Sequence, residues 1–261
     1  MINRIKKVIS KTKALKTFLA EIIIFLNKYF YLPKKLSRIA KHLEGTRCFR
    51  KSKLTWNEKG FWFLNPMPSE AELNNYYKNT YWDNFHKGKN ININRRSIDH
   101  FDLIKKYIDF ENLSSRRFLN FGAGEGGVSF LFKLYGWEVT NVEPSNMVNF
   151  NWNQVSTLEE AHGEYDLIYS SHSLEHVNDI TKYVKIFSNK LRKGGIIFFE
   201  VPNCEKSVEI ISPHTYYFTK NFFNTLNFNV HLLETFHYKS GISSEIVKNN
   251  NGEVIRFIGS K

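Results

Sequence analysis

Apolar positions recur along this chain with different spacings in different stretches. From Ile2 to Tyr29 the repeat is three to four residues: Ile2, Ile5, Val8/Ile9, Thr12, Leu15, Leu19, Ile22, Leu26 and Tyr29, with lysines between them. That spacing predicts an amphipathic helix. Leu32-Pro33 breaks it, and residues 34–43 suit a short second helix. Residues 46–64 are rich in aromatics and carry Asn57-Glu-Lys-Gly60, a hairpin-turn composition. Ser69-Glu-Ala-Glu72 spells a capping box that opens a helix through Tyr77. Tyr76, Tyr77, Tyr81 and Trp82 form a tight aromatic group there.

Beyond residue 93, continuous apolar runs alternate with helical stretches. The pattern predicts a helix at about 94–110, a strand at 117–121, a helix at 126–136 and a strand at 137–142. A short strand near 152–155, a strand at 165–171, a helix at 179–191 and a strand at 195–201 follow. Thr219 is placed to cap a helix reaching about 226, and the alternating runs Phe228–Phe236 and Glu253–Gly259 suit an antiparallel pair. Continuous apolar strands separated by helices mean an α/β fold, with a mostly parallel sheet covered on both faces. Three regions result: a helical extension (1–43), an aromatic-rich cap (44–93) and the main domain (94–261).

Charge changes the picture at the N-terminus only. Of the net +12, residues 1–41 hold +10, from eleven Lys/Arg against the single acid Glu21. The remainder is close to neutral, which argues against a nucleic-acid surface. A basic amphipathic helix of this type lies on an anionic membrane, or else packs on protein. The apolar run from Phe18 to Phe30 is broken by Glu21, Asn27 and Lys28. It is short of the roughly 20 apolar residues a bilayer span requires, and no signal-peptide cleavage pattern accompanies it. Cys48 and Cys204 are too few for a disulfide framework and lack metal-ligand spacing, a usage that fits a reducing cytoplasm.

Candidate chemistry concentrates in Arg117-Phe-Leu-Asn-Phe-Gly-Ala-Gly-Glu-Gly-Gly127 and Trp137-Glu-Val-Thr-Asn-Val-Glu143. Gly122, Gly124 and Gly126 let the backbone turn sharply beside a ligand. Glu143, at the end of the next strand, is placed to accept hydrogen bonds from ribose hydroxyls. Spaced as Gly122-x-Gly124-x-x-Gly127, the cluster fits a dinucleotide; spaced as Gly122-x-Gly124-x-Gly126, it fits S-adenosylmethionine (SAM). The glycines alone leave both open.

Downstream lie Tyr165-Asp-Leu-Ile-Tyr-Ser-Ser-His-Ser-Leu-Glu-His-Val177 and Leu191-Arg-Lys-Gly-Gly-Ile-Ile-Phe-Phe-Glu-Val-Pro-Asn203. With the glycine loop, these resemble the class I SAM-dependent methyltransferases over residues 60–235, especially the subgroup with Leu-Glu-His-Val and Gly-Gly…Val-Pro-Asn signatures. The resemblance implies a Rossmann-like, seven-stranded, mostly parallel sheet with an antiparallel C-terminal pair, and SAM as cofactor. It implies cofactor contacts from Asn120, Gly122, Gly124, Gly126, Glu143, Pro144 and Ser171. Family members usually have Asp where Asn120 stands, a change expected to weaken the hold on the methionine end. The aromatic group at 76–82 matches a lid in relatives, or packs on the sheet edge. Some relatives carry a Cys-rich zinc module ahead of the domain; with only Cys48 left, this chain is expected to have a degenerate, metal-free remnant.

For an alcohol acceptor, a base that removes the proton during transfer is worth on the order of 10²–10⁴-fold. His176 is the first candidate, His214 the second and His172 the third, each against a structural role. Arg96 is a candidate partner for the SAM carboxylate, against a solvated surface arginine. His172-Ser-Leu-Glu-His176 also spells an inverted zinc-protease motif, rejected because the segment follows a strand directly and no third ligand is signalled. No metal is assigned, although quinone-pathway relatives with similar segments use a divalent ion. The expected activity is O-methylation of a sugar or sugar-linked group of a cell-surface polysaccharide or lipopolysaccharide precursor, in the cytoplasm at the inner membrane face. Methylation of a lipid or quinone is the near alternative; an NAD-dependent enzyme and an inactive membrane scaffold are the distant ones.

Overall fold

The computed structural model describes residues 13–29, 39, 43–44, 46–77, 90–110, 113, 115–145, 152–205, 213–238, 246–248 and 252–261. Five parallel strands form its centre: β3 (Arg117–Phe121), β4 (Glu138–Val142), β5 (Gln154–Val155), β6 (Tyr165–Ser171) and β7 (Leu191–Pro202). Consecutive strand residues point to opposite faces, and the core divides accordingly. Leu119, Ile168, Ile197 and Phe199 face one side, with Phe187 of helix α6 (Ile180–Lys190) and Phe222 and Phe223 of α7 (Lys220–Asn224). Phe118, Leu167, Ile196 and Phe198 face the other, with Phe101 and Ile104 of α4 (Arg95–Ile104) and Phe132 of α5 (Gly127–Leu134).

The strand order is β10-β9-β11-β7-β6-β3-β4-β5, with β9 at Asn229–Tyr238, β10 at Ile246–Lys248 and β11 at Val254–Ser260. The chain starts in the middle at β3, runs outward through β4 and β5, then returns to β6 on the other side. This reversal opens a crevice beyond the carboxyl ends of β3 and β6, where open α/β sheets bind ligands. β11 pairs antiparallel with both β7 and β9. The expected seven-stranded sheet is present, and a short eighth strand, β10 (Ile246–Lys248), extends it beside β9.

Several local expectations are corrected. Helix α4 stops at Ile104, where Lys106 and Tyr107 turn tightly to carbonyls three residues back. β7 begins at Leu191, directly after α6. Thr219 does not cap α7 with its side chain; its hydroxyl donates instead to the Gly60 carbonyl at 2.7 Å. That bond marks a second, three-stranded sheet. The hairpin β1 (Lys53–Asn57) and β2 (Phe61–Asn65) turns at Gly60 as expected, and β2 pairs with β8 (Tyr216–Phe218). The Ser69 capping box opens α3 (Glu70–Tyr76), with both reciprocal bonds formed.

Ahead of this sheet lie α1 (Lys13–Tyr29) and α2 (Arg47–Lys51). Ala20 of α1 is buried, and Glu21 pairs with Arg47 at 2.9 Å and Arg50 at 3.7 Å, so one side of α1 rests against α2. The opposite side carries Phe18, Ile22, Phe25 and Tyr29, which are 63%, 38%, 56% and 60% exposed. No described helix is long and apolar enough to cross a membrane. The apolar positions at Ile2, Ile5, Val8/Ile9 and Thr12, most of the proposed second helix, and Tyr81 and Trp82 lie outside the described residues.

Candidate active site

A cavity of about 480 Å³ occupies the crevice at the sheet's carboxyl end. Asn120, Gly122, Gly124, Gly126, Glu143, Pro144, Ser171 and Arg96 all line it, as do His172 and His176. His214 lies just outside, its ring centroid 4.9 Å from that of His176. The sequence-derived candidates are therefore gathered in one place.

The glycine loop owes its shape to two different demands. At Gly122 (φ 74°) an added Cβ would fall on the Ser173 hydroxyl, so here the glycine makes room for the loop after β6 rather than for a ligand. Gly124 (φ 50°) turns its N–H to Glu143 Oε2 at 2.8 Å. Glu143 Oε1 accepts the Ser145 N–H at 3.0 Å, so the carboxylate also braces the loop. Burial pushes the Glu143 carboxyl up from its ordinary pKa. Asn120 is explained by its neighbours. Ser129 donates its hydroxyl proton to Asn141 Oδ1 at 2.6 Å and so needs a donor of its own, which the Asn120 amide supplies at 2.8 Å. An ionised Asp could not donate there. Asn120 Oδ1 is left buried without a partner at the cavity wall.

The other end of the cavity holds an imidazole–carboxylate cluster. Glu175 and His176 sit on a single 3₁₀ turn, Leu174–His176, directly after β6. The Thr215 N–H donates to the Glu175 carbonyl at 2.8 Å, and its hydroxyl donates to Val177 at 2.5 Å. These bonds fasten the turn to the segment carrying His214. His172, the one described non-glycine residue with positive φ (50°), lies between two buried carboxylates. Its Nδ1 is 3.4 Å from Glu175 and its Nε2 3.4 Å from Glu200. Burial alone would lower the His172 pKa, but the two acids prevail and raise it to about 9. Glu175, despite burial, is held ionised to about 2 by His176 and His172. His214 is pushed down to about 4 by burial and then by His176, and burial also lowers His176. At neutral pH the cluster therefore holds one imidazolium and two neutral imidazoles. With Nδ1–H of His176 donating to Pro213 at 3.4 Å, its Nε2 carries the lone pair, 3.8 Å from Glu175. Glu175, His176 and His214 each place one ligand atom within 4.8 Å of the others, close enough to share an ion.

Sequence reasoning missed the group behind this cluster. Glu200, fully buried in β7, accepts from His100 Nε2 (2.8 Å), Arg256 Nε (2.7 Å), Tyr238 (2.6 Å) and Ser171 (3.1 Å). His100 Nδ1 in turn accepts the Tyr169 hydroxyl at 2.7 Å, and Arg256 pairs with Asp99 at 2.6 Å. The signal was available. Glu200 and Arg256 each interrupt an apolar run on a central strand, where an isolated charge must find partners.

Residues 94–237, just over half of the chain, match the family described as "Methyltransferase domain". The chain belongs to this methyltransferase family. Among relatives, the ubiquinone biosynthesis O-methyltransferase of Hydrogenovibrio crunogenus is 24% identical over 155 residues, covering 53% of this chain. The match spans 62% of that relative's length. A SAM-dependent methyltransferase from Clostridium acetobutylicum is structurally similar (TM-score 0.46, 13% identity, 65% of this chain and 92% of that one). So is coclaurine N-methyltransferase (0.46, 14%, 91% and 79%). The methyltransferase domain uses SAM, and its cavity suits that molecule. Glu143 offers carboxylate oxygens, Asn120 Oδ1 a buried acceptor without a partner, and Arg96 a cation.

Proposed function

We propose that this methyltransferase transfers a methyl group to a sugar hydroxyl of a cell-surface glycan precursor, working at the cytoplasmic face of a membrane. The observation that carries the acceptor class is the wall opposite the glycine loop. Glu70, Asn74 and Tyr77 of the cap, with Asn178, offer hydrogen-bonding groups beside an aromatic ring, a combination that suits a polyhydroxylated ring. Residues 44–93 serve as this cap and residues 1–43 as the membrane anchor.

Bound SAM supplies a methyl group on a sulfonium cation, already activated for in-line transfer. The chain's contribution is position and proton management. With SAM bound, Arg96 would meet the cofactor's carboxylate, Asn120 Oδ1 its ammonium and Glu143 its ribose. His176, neutral with Nε2 free, takes the acceptor proton, and His214 supports it. His172 is reassigned: an imidazolium held between two acids orients Glu175 and cannot act as base at neutral pH.

The anchor reading rests on the outward ridge of Phe18, Ile22, Phe25 and Tyr29. Burying side chains of this kind is worth about 1.5–3 kcal/mol each, more than the roughly 1 kcal/mol per lysine near an anionic surface. The ridge would therefore dominate and the lysines would steer. Deleting residues 1–30 should release the protein from anionic vesicles while SAM binding persists; undiminished sedimentation would sink the anchor.

The decisive experiment for the acceptor is mass spectrometry of surface glycans from cells with and without the gene. Loss of one methyl mass is expected. A methyl deficit in the quinone or lipid fraction would instead establish the second reading, which the H. crunogenus relative favours. The close grouping of Glu175, His176 and His214 favours a divalent ion in that case, and turnover would then require added metal.

A further inference from the structure

A buried ionic group as dry as the one around Glu200 is rarely more stable than an apolar replacement, so its purpose lies in what it touches. Helix α4 presents Arg96, Asp99 and His100 at i, i+3 and i+4, which share one face. Asp99 and His100 are fastened to Arg256 and Glu200. Arg96, one turn earlier, lines the cavity instead. Its guanidinium lies over the Tyr238 ring, 5.9 Å from the centroid. The Tyr238 hydroxyl donates to Glu200 Oε1 at 2.6 Å, which fixes the ring against Arg96. Neither Tyr238 nor Glu200 lines the cavity; both stand behind Arg96. Among the described residues Arg96 pairs with no carboxylate, because Glu200 is already filled by other donors.

We propose that Tyr238 is a positioning residue for cofactor binding: braced on Glu200, it holds the Arg96 guanidinium toward the cofactor's carboxylate. The inference rests on the reading of Arg96 given above. An unrestrained arginine must give up rotamer entropy when it clasps a ligand. One stacked on a fixed aromatic ring is ordered beforehand, with its charge still available. Strand β9, at the far side of the sheet, thereby acts on the cofactor's amino-acid end without touching it.

Two ligands separate this role from a merely structural one. S-adenosylhomocysteine has the amino-acid end; 5′-methylthioadenosine shares the nucleoside and lacks that end. Calorimetry on the full chain should show Tyr238→Phe weakening the first about three- to tenfold, the worth of the hydrogen bond to Glu200 that braces the ring, with the second unchanged. Arg96→Met should cost about 10- to 100-fold, again for the first ligand only. The double variant should bind no more weakly than Arg96→Met, since Tyr238 then has nothing to hold. Tyr238→Phe keeps the ring and leaves Glu200 Oε1 with Ser171 and His172, so folding is expected to survive. Equal losses for both ligands, no loss for either, or additive effects in the double variant would overturn the inference alone. Unchanged S-adenosylhomocysteine affinity in Arg96→Met would overturn the Arg96 reading as well.

Discussion

The two ends of the cavity are built in opposite ways. The end proposed to hold the cofactor comes, apart from Arg96 of α4, from one stretch, β3, the glycine loop, α5 and β4, whose parts lie within 27 residues. Its geometry is mostly backbone: left-handed glycines, and a loop amide held by Glu143. The end proposed to take the acceptor is assembled from α3 and the 3₁₀ turn after β6, which is fastened to the segment before β8. It is held by side chains across long separations, such as Thr219 to Gly60 and Thr215 to Val177. A local backbone motif tolerates little change, whereas a wall of side chains from separate segments can be re-specified piece by piece.

That contrast can be broken most forcefully at Gly124. Gly124→Val places a β-branched residue at φ 50° and disturbs the amide that Glu143 holds. SAM binding should be lost by calorimetry while the melting temperature falls only modestly; retained binding would show that the loop does not form the cofactor end. At the other end, His176→Ala should lower kcat by about 100-fold or more with SAM affinity nearly constant. His214→Ala should have a smaller effect. Comparable small losses in both would mean that transfer proceeds by proximity alone.

Glu143→Ala should weaken SAM by about 1.5–3 kcal/mol, the range for a hydrogen bond to a charged group. Because this carboxylate also braces Gly124 and Ser145, the loop's amide protons should exchange faster in the variant even without ligand. Normal affinity would place the ribose elsewhere. The smallest effect concerns pH. Folding raises the His172 pKa from 6.5 to about 9, so the stability it contributes is complete below about pH 6.5 and is lost as pH rises through about 9. The urea midpoint of the wild type should fall between pH 6 and pH 9.5, and His172→Gln should flatten that slope. A slope identical in both would remove His172 from the clamp.

Legibility from sequence followed the same division. The strands, the capping box, the hairpin at Gly60 and the glycine loop all depend on neighbours within a few residues, and their spacing announces them. The contacts of Gly122 and Thr219 are not legible in the sequence because their partners, Ser173 and Gly60, are 51 and 159 residues away. His172 could be named as a site residue but not distinguished from His176, since its charge depends on Glu200, 28 residues along the chain. Glu200 itself was visible only as an acid in an apolar run, and its partners, from His100 to Arg256, span 156 positions.

The position of β11 bears on how the molecule reaches this state. It follows every other strand in sequence yet lies between β7 and β9, supplying the ladder partner of each. Until it inserts, β7 presents a bare hydrophobic edge, the kind of surface that recruits other chains. Sheet closure must then wait for contacts of long sequence separation, which form slowly. In pulsed hydrogen exchange during refolding, β3 and β6 should be protected early and β9 together with β11 late. Early protection of β9 alone would contradict this order. A sheet whose central gap is filled last gains its ligand crevice before its own edge is sealed, so cofactor present during refolding should bind a partly assembled chain and suppress its aggregation.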